Sequence, residues 1–247
     1  MGYQEEQSSA LLQSTLESEG FTIEKGVAGI PTAFLATFGS GGPTVGILAE
    51  YDALPGLSQK AVPYKISNDG RGGHACGHHL FGTASTAAAI AVKNYLKKSG
   101  KKGTIKLFGC PAEEGGSGKV YMTRVGLFDD LDVALHWHAD SKNSAGIRPA
   151  LANKSAKFRF YGIAAHAAGA PEMGRSALDA VEAMNTMVNM MREHVTDDTR
   201  IHYVITRGGE APNVVPDFAE VYYYSRHSTR DEVIRVFDRI VDAARGA

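Results

Sequence analysis

Apolar residues recur along the chain in two rhythms, one of helices and one of strands. Leu11, Leu12 and Leu16 stand at helical spacing within residues 5–19, and Gly20 follows where a helix C′ glycine sits. Residues 32–38 read as a strand, and a Gly-rich turn over 39–43 leads into a second strand, 44–50. A long Pro-, Gly-, Ser- and Asn-rich segment, 51–73, follows; a loop of that length inside a domain is usually functional or mobile. Residues 76–98 form an Ala-rich helix ending at Gly100, with Lys93, Lys97 and Lys98 complementing its C-terminal dipole. A strand over 104–110, a short helix over 119–125 and a strand over 132–138 complete this half. Strands alternating with helices predict an α/β fold, a largely parallel sheet covered by helices on both faces.

The rhythm changes near Asn153. A strand over 156–163, a Met-bearing helix over 176–193, strands over 201–206 and 218–225, and a helix N-capped by Thr229 and running to Ala244 give β-α-β-β-α. That is an α+β ferredoxin-like unit lacking its last strand. The expected division is therefore 1–152 and 153–247, and the chain reads as a fragment. Met184, Met187, Met190 and Met191 read as packing on a core or dimer face.

With 26 Lys and Arg against 27 Asp and Glu, the net charge is −1, so no broad basic field awaits a nucleic acid. The longest small-apolar run, around 83–92, is about half of what a membrane span needs. The N-terminus is acidic, unlike a signal peptide, and Glu6 occupies the Ser or Thr position of a myristoylation site. Two cysteines are too few for a disulfide framework, which fits a reducing, cytoplasmic setting.

Chemistry-bearing residues gather at the C-terminal ends of the expected strands: Asp52, then Glu113 and Glu114, then His136 and His138. Open α/β sheets place ligand sites along that edge. Gly73-His74-Ala75-Cys76-Gly77-His78-His79 adds a thiol and imidazoles, so the set is that of a zinc-like ion. Cys76 and His78 stand two apart at a helix entry, where the helix N-terminus is expected to lower the thiol pKa. Of the adjacent Glu113 and Glu114, one can bind metal while the other takes a proton from water. Strand alternation puts His136 and His138 on one face. Each piece also has a plain reading: a buried free cysteine, a solvated acidic turn, a core histidine. Asp52 is read either as orienting a ligand or lining the substrate loop, or as a turn carboxylate.

Gly73-His74-Ala75-Cys76-Gly77-His78, Pro111-Ala112-Glu113-Glu114-Gly115-Gly116 and Ala134-Leu135-His136 resemble the amidohydrolase branch of the dinuclear aminoacylase/carboxypeptidase-type metallopeptidases. That branch includes the indole-acetyl-amino-acid hydrolases. Leu80-Phe81-Gly82 and His136-Trp137-His138 look closest to its p-aminobenzoyl-glutamate hydrolase subunits. The resemblance implies two divalent ions, Zn²⁺ or Mn²⁺, held by Cys76, His78, Glu114 and His136. It implies Glu113 as the general base for a metal-activated water that cleaves N-acyl or N-aroyl amino acids. It also implies that the second segment is a lid through which the chain pairs, as a homodimer or with a related subunit. In that lid His166 matches an oxyanion-stabilising position, and Asn213 and Arg226 match positions contacting the substrate amide and carboxylate. An Arg fork suits a carboxylate. His79 stands where much of the branch has Asp, and the family's further metal-binding His lies beyond residue 247. Two other readings compete: Cys76 as a thiol nucleophile paired with a His, and a non-catalytic partner subunit or inactive truncated fragment pairing through the lid.

Overall fold

Strand Phe34–Ser40 (β2) carries Phe34 and Ala36 on one face and Leu35 on the other, and all three are buried. Such a strand needs cover on both sides. The computed structural model describes residues 1–68, 70–145 and 149–247, which divide into two units, Met1–Asn143 and Ser144–Ala247.

In the first unit, β1 (Thr22–Lys25), β2, β3 (Thr44–Glu50), β4 (Gly103–Cys110) and β5 (Val133–Leu135) form a sheet of order β1-β2-β4-β3-β5. β3 pairs parallel with β4 and β5, but β2 pairs antiparallel with β4 and with β1. The sheet is thus mixed, correcting the expectation of a largely parallel one. The cause is the insertion of β4 between β2 and β3: the glycine-rich turn reverses the chain, yet the two strands it joins do not pair. Thr104 N–H donates to the Pro43 carbonyl at 2.9 Å, seating β4 beside that turn.

Helices α1 (Glu6–Ser18) and α2 (His78–Ser99) cover one face, where Leu12, Leu16 and Ala89 pack with Phe34, Ile47 and Leu107. Leu35, Phe108, Cys110 and Met122 pack on the other face with Leu48 and Phe128; Met122 comes from α4 (Gly118–Arg124). Between β4 and α4 lies one irregular turn, α3 (Glu113–Gly116). Lys93 is buried rather than solvated and donates from Nζ to the Glu19 carbonyl at 2.9 Å. The Phe34 ring lies where a Cβ on Gly109 would fall, 2.2 Å from its Cε1. Gly109→Ala should therefore destabilise the chain by about 1–3 kcal/mol through overpacking, read as a lower denaturant midpoint at unchanged slope.

The second unit contains β6 (Ala152–Tyr161), α5 (Ala177–Met191), β7 (Arg200–Arg207), β8 (Phe218–His227) and α6 (Arg230–Gly246). Its antiparallel sheet has the order β6-β8-β7. The helices pack on one face, where Val181, Met184, Val236 and Ile240 surround Tyr223. Ser176 caps α5, its Oγ accepting from Asp179 N–H at 3.1 Å. Thr229 makes no such bond to α6; its Oγ1 lies 3.1 Å from His227 Nδ1 instead. Met184 and Met191 are buried, whereas Met190 is exposed.

Candidate metal centre

Three parallel strands deliver the site. β3 ends at Glu50, with Asp52 two residues on; β4 ends at Cys110, just before Glu113 and Glu114; β5 ends at Leu135, just before His136. The sheet edge that sequence reasoning singled out is where these side chains meet.

His78 is the hub and is fully buried. Its Nδ1 lies 2.9 Å from Asp52 Oδ1, and Asp52 Oδ2 accepts from the Glu114 N–H at 2.9 Å. Asp52 thus fixes the imidazole so that Nδ1–H donates and the Nε2 lone pair is free, the arrangement metal-ligating histidines share. Around Nε2 stand Glu50 Oε2 at 3.3 Å, Glu113 Oε2 at 3.8 Å and Glu114 Oε1 at 3.9 Å. On the other side, Cys76 Sγ lies 3.3 Å from His138 Nε2, whose Nδ1 contacts the Ala139 carbonyl at 2.9 Å. The buried Phe81 ring packs on His78, Trp137 and His138, giving this segment an apolar backing.

Among the described residues, two sets of donor atoms each lie within 4.8 Å of one another: Cys76, His78 and His138, and His78, Glu113 and Glu114. Cys76, His78 and Glu114 of the expected ligand set therefore share the site. His136 is in neither set; its Nε2 lies 3.3 Å from Glu50 Oε1. β5 ends at Leu135, so strand alternation no longer controls the two histidines beyond it. His138, and Glu50 with its partner Lys119, are the residues that sequence reasoning left without a role. Glu50 ends an apolar strand, and that position was the available signal.

The residues fit a divalent cation. Among the described residues, four carboxylates and a thiol converge near one lysine, and two buried atoms facing each other, His78 Nε2 and Glu50 Oε2, have no hydrogen-bond partner. Buried polar atoms without partners are costly unless a ligand satisfies them. Burial, then Glu114 and the neighbouring carboxylates, push the Cys76 thiol up to about 11. This overturns the expected lowering by a helix N-terminus: α2 begins only at His78, after Gly77 in a left-handed conformation (φ 90°). A thiol so held is a poor nucleophile without a cation, which argues against the thiol-hydrolase reading. Burial raises the Asp52 carboxyl, but the His78 hydrogen bond outweighs it and the net shift is downward; Asp52 in turn holds His78 above its usual value against burial. Burial, and then the Glu50 charge, raise Glu113.

Backbone strain marks the Glu113–Glu114 turn. Ala112 sits at φ 55°, a left-handed conformation that costs a residue with a Cβ of order 1 kcal/mol. The buried Glu5 carboxylate holds it there: Oε1 accepts from the Ala112 N–H and Oε2 from Thr32 Oγ1, both at 2.9 Å.

Glu50 gives the clearest acid response. Burial raises its pKa, but His136 and Lys119 outweigh burial and hold it at about 2, against an ordinary value of 4.5. A depressed carboxyl stabilises the fold above its unfolded pKa, and that stability disappears as pH falls through the folded value. Stability should therefore drop between about pH 4.5 and 2, and Glu50→Gln should flatten that drop in denaturant midpoints measured against pH.

In the second unit, His166 pairs with Val214 in an isolated bridge, and Ala167 N–H donates to the Asn213 carbonyl at 3.0 Å, so His166 and Asn213 adjoin. His166 Nδ1 accepts from Gly169 N–H at 3.0 Å. Arg226 is exposed on β8, its guanidinium 5.4 Å above the Tyr224 ring.

The model of peptidase family M20/M25/M40 matches residues 46–233. The chain is 49% identical over 99% of its length to one of the p-aminobenzoyl-glutamate hydrolase subunits of Escherichia coli, covering 52% of that protein. Among solved structures it is similar to an aminobenzoyl-glutamate utilization protein from Klebsiella pneumoniae (TM-score 0.69, 22% identity, all of this chain and 68% of that one). It is also similar to a dinuclear metal-binding M20 peptidase from Bacillus subtilis (TM-score 0.63, 20% identity, all of this chain and 65% of that one). The chain spans about half the length of the curated relatives it matches.

Proposed function

This chain belongs to peptidase family M20/M25/M40, and on that footing we propose that it carries the metal centre of an amidohydrolase acting on N-acyl or N-aroyl amino acids. The substrate class follows from similarity to a p-aminobenzoyl-glutamate hydrolase subunit. The observation that carries the reading is the buried Asp52–His78 pair, with His78 Nε2 unsatisfied amid Glu50, Glu113 and Glu114. Cys76, His78, His138 and Glu114 are the side chains we assign to hold divalent ions, two by family analogy and Zn²⁺ or Mn²⁺ by donor type. His136 joins them if its imidazole leaves Glu50. Such an ion supplies a Lewis acid that polarises a scissile carbonyl and lowers the pKa of water.

Asp52 orients His78. Glu113 takes a proton at a carboxylate oxygen from the attacking water and passes it to the departing amine nitrogen, so the amide yields one acid and one amine. In the second unit, read as a ferredoxin-like lid, His166 would stabilise the oxyanion while Asn213 and Arg226 hold the substrate amide and carboxylate. The similarity to a protein designated a subunit supports pairing through this lid, with a second copy or a related chain. No helix among the described residues is long and apolar enough to cross a membrane, and both cysteines are free, which supports a cytoplasmic setting. The test is release of p-aminobenzoate from p-aminobenzoyl-glutamate, abolished by a chelator and restored by Zn²⁺ or Mn²⁺. Metal uptake without turnover would instead favour a non-catalytic partner subunit.

A further inference from the structure

The chain leaves β3 and makes an excursion before entering α2. Leu54 and Gly73 close its base, exchanging N–H···O bonds of 3.0 and 2.8 Å, and Gln59 bridges Ser67 further out. Ser58 N–H donates to the Arg71 carbonyl at 3.1 Å. Gly73 packs so closely that an added Cβ would fall 2.0 Å from the Leu57 carbonyl oxygen, so this wall is backbone against backbone. The excursion and the start of α2 line an open cavity of about 650 Å³.

Among the described residues its lining is one-sided in charge. The titratable side chains among the described lining residues are Lys65, His74 and His79, and no carboxylate joins them. Lys65 makes no ion pair among the described residues. Among the described residues His74 Nδ1 is buried without a hydrogen-bond partner, and its ring lies 4.8 Å from that of His79, tilted by 40°. Asn68 adds an amide, while Leu57 and Ala75 add apolar wall. An ammonium, an orphaned imidazole nitrogen and an amide around a partly apolar cavity complement a carboxylate on a short hydrocarbon stem. The wall is shared with the metal centre, since His74 lies two residues before Cys76 and His79 follows His78. The carboxylates of the centre lie outside this lining, so the cavity is chemically distinct from it.

We infer that the cavity bounded by Lys65, Asn68, His74 and His79 is a binding site for a carboxylate-bearing small molecule, separate from the metal ligands. The site stands whether or not the neighbouring centre hydrolyses amides.

Glutarate is the probe and its diamide the neutral control, titrated into the 247-residue chain as purified, with saturation-transfer NMR as readout. Glutarate should bind, the diamide should bind at least roughly tenfold more weakly, and added salt should weaken glutarate binding. Lys65→Glu and Lys65→Gln, on an exposed loop position whose change the core does not feel, should each weaken glutarate roughly five- to tenfold. Removing metal with EDTA should leave the affinity unchanged. Equal binding of acid and diamide, an affinity indifferent to both Lys65 variants, or binding abolished by EDTA would each overturn the assignment. The last would place the carboxylate on the metal instead.

Discussion

With Glu113 as the proposed base, Glu113→Gln should lower the proposed hydrolysis of p-aminobenzoyl-glutamate by roughly 10²–10⁴-fold, the usual contribution of a positioned proton-transfer group. Metal content should stay at the wild-type level. The split rests on the family resemblance, since Glu113 Oε2 and Glu114 Oε1 stand 3.8 and 3.9 Å from His78 Nε2 and distance alone does not separate base from ligand. Glutamine keeps the shape and some polarity but cannot take a proton. Steady-state kinetics with elemental analysis of the same samples checks this. Loss of metal along with turnover would make Glu113 a ligand rather than the base.

Asp52→Ala should be the most damaging substitution away from the ligands themselves. It removes the partner of His78 Nδ1 and the acceptor of the Glu114 N–H together, both in buried surroundings. Breaking a buried pair from one side costs about 3–5 kcal/mol, and removing the residue that orients a metal-ligating histidine costs roughly 10–100-fold in metal affinity. Denaturant unfolding of the metal-free chain reads the first effect and a competition titration with a chelating dye reads the second. Asp52→Asn should recover part of the stability, because its amide oxygen still accepts from His78 Nδ1–H. An Asp52→Ala chain with wild-type metal affinity would show that His78 is not oriented through this bond.

Much of the centre was legible because its residues cluster at chain positions with a topological meaning. Glu113, Glu114 and the Cys76–His78 pair lie where strands end and a helix begins, and short motifs fix such local geometry. β3 was read over the residues it occupies, 44–50, because alternation and flanking glycines agree. β1 went unread: Thr22–Lys25 is a short edge strand with mostly exposed side chains, so burial imposes little pattern on it. The mixed sheet was not legible, since nothing local to 34–50 says that β4 will enter between two strands joined by a tight turn. Asp52 stays open between orienting a ligand or lining the substrate loop and serving as a turn carboxylate, and Glu50 draws no reading, because their partners His78 and Lys119 lie 26 and 69 residues away. His136, expected on one face with His138, lies against Glu50 while His138 lies against Cys76, because the strand whose alternation would have aligned them ends at Leu135.

Metal bound per chain, measured by elemental analysis on the wild type and on His78→Ala after exposure to Zn²⁺ or Mn²⁺ and desalting, tests the central claim most directly. One or two equivalents in the wild type, lost in the variant, is the expected result. An equal metal content in the two chains, or none in the wild type, would contradict a metal centre built on His78.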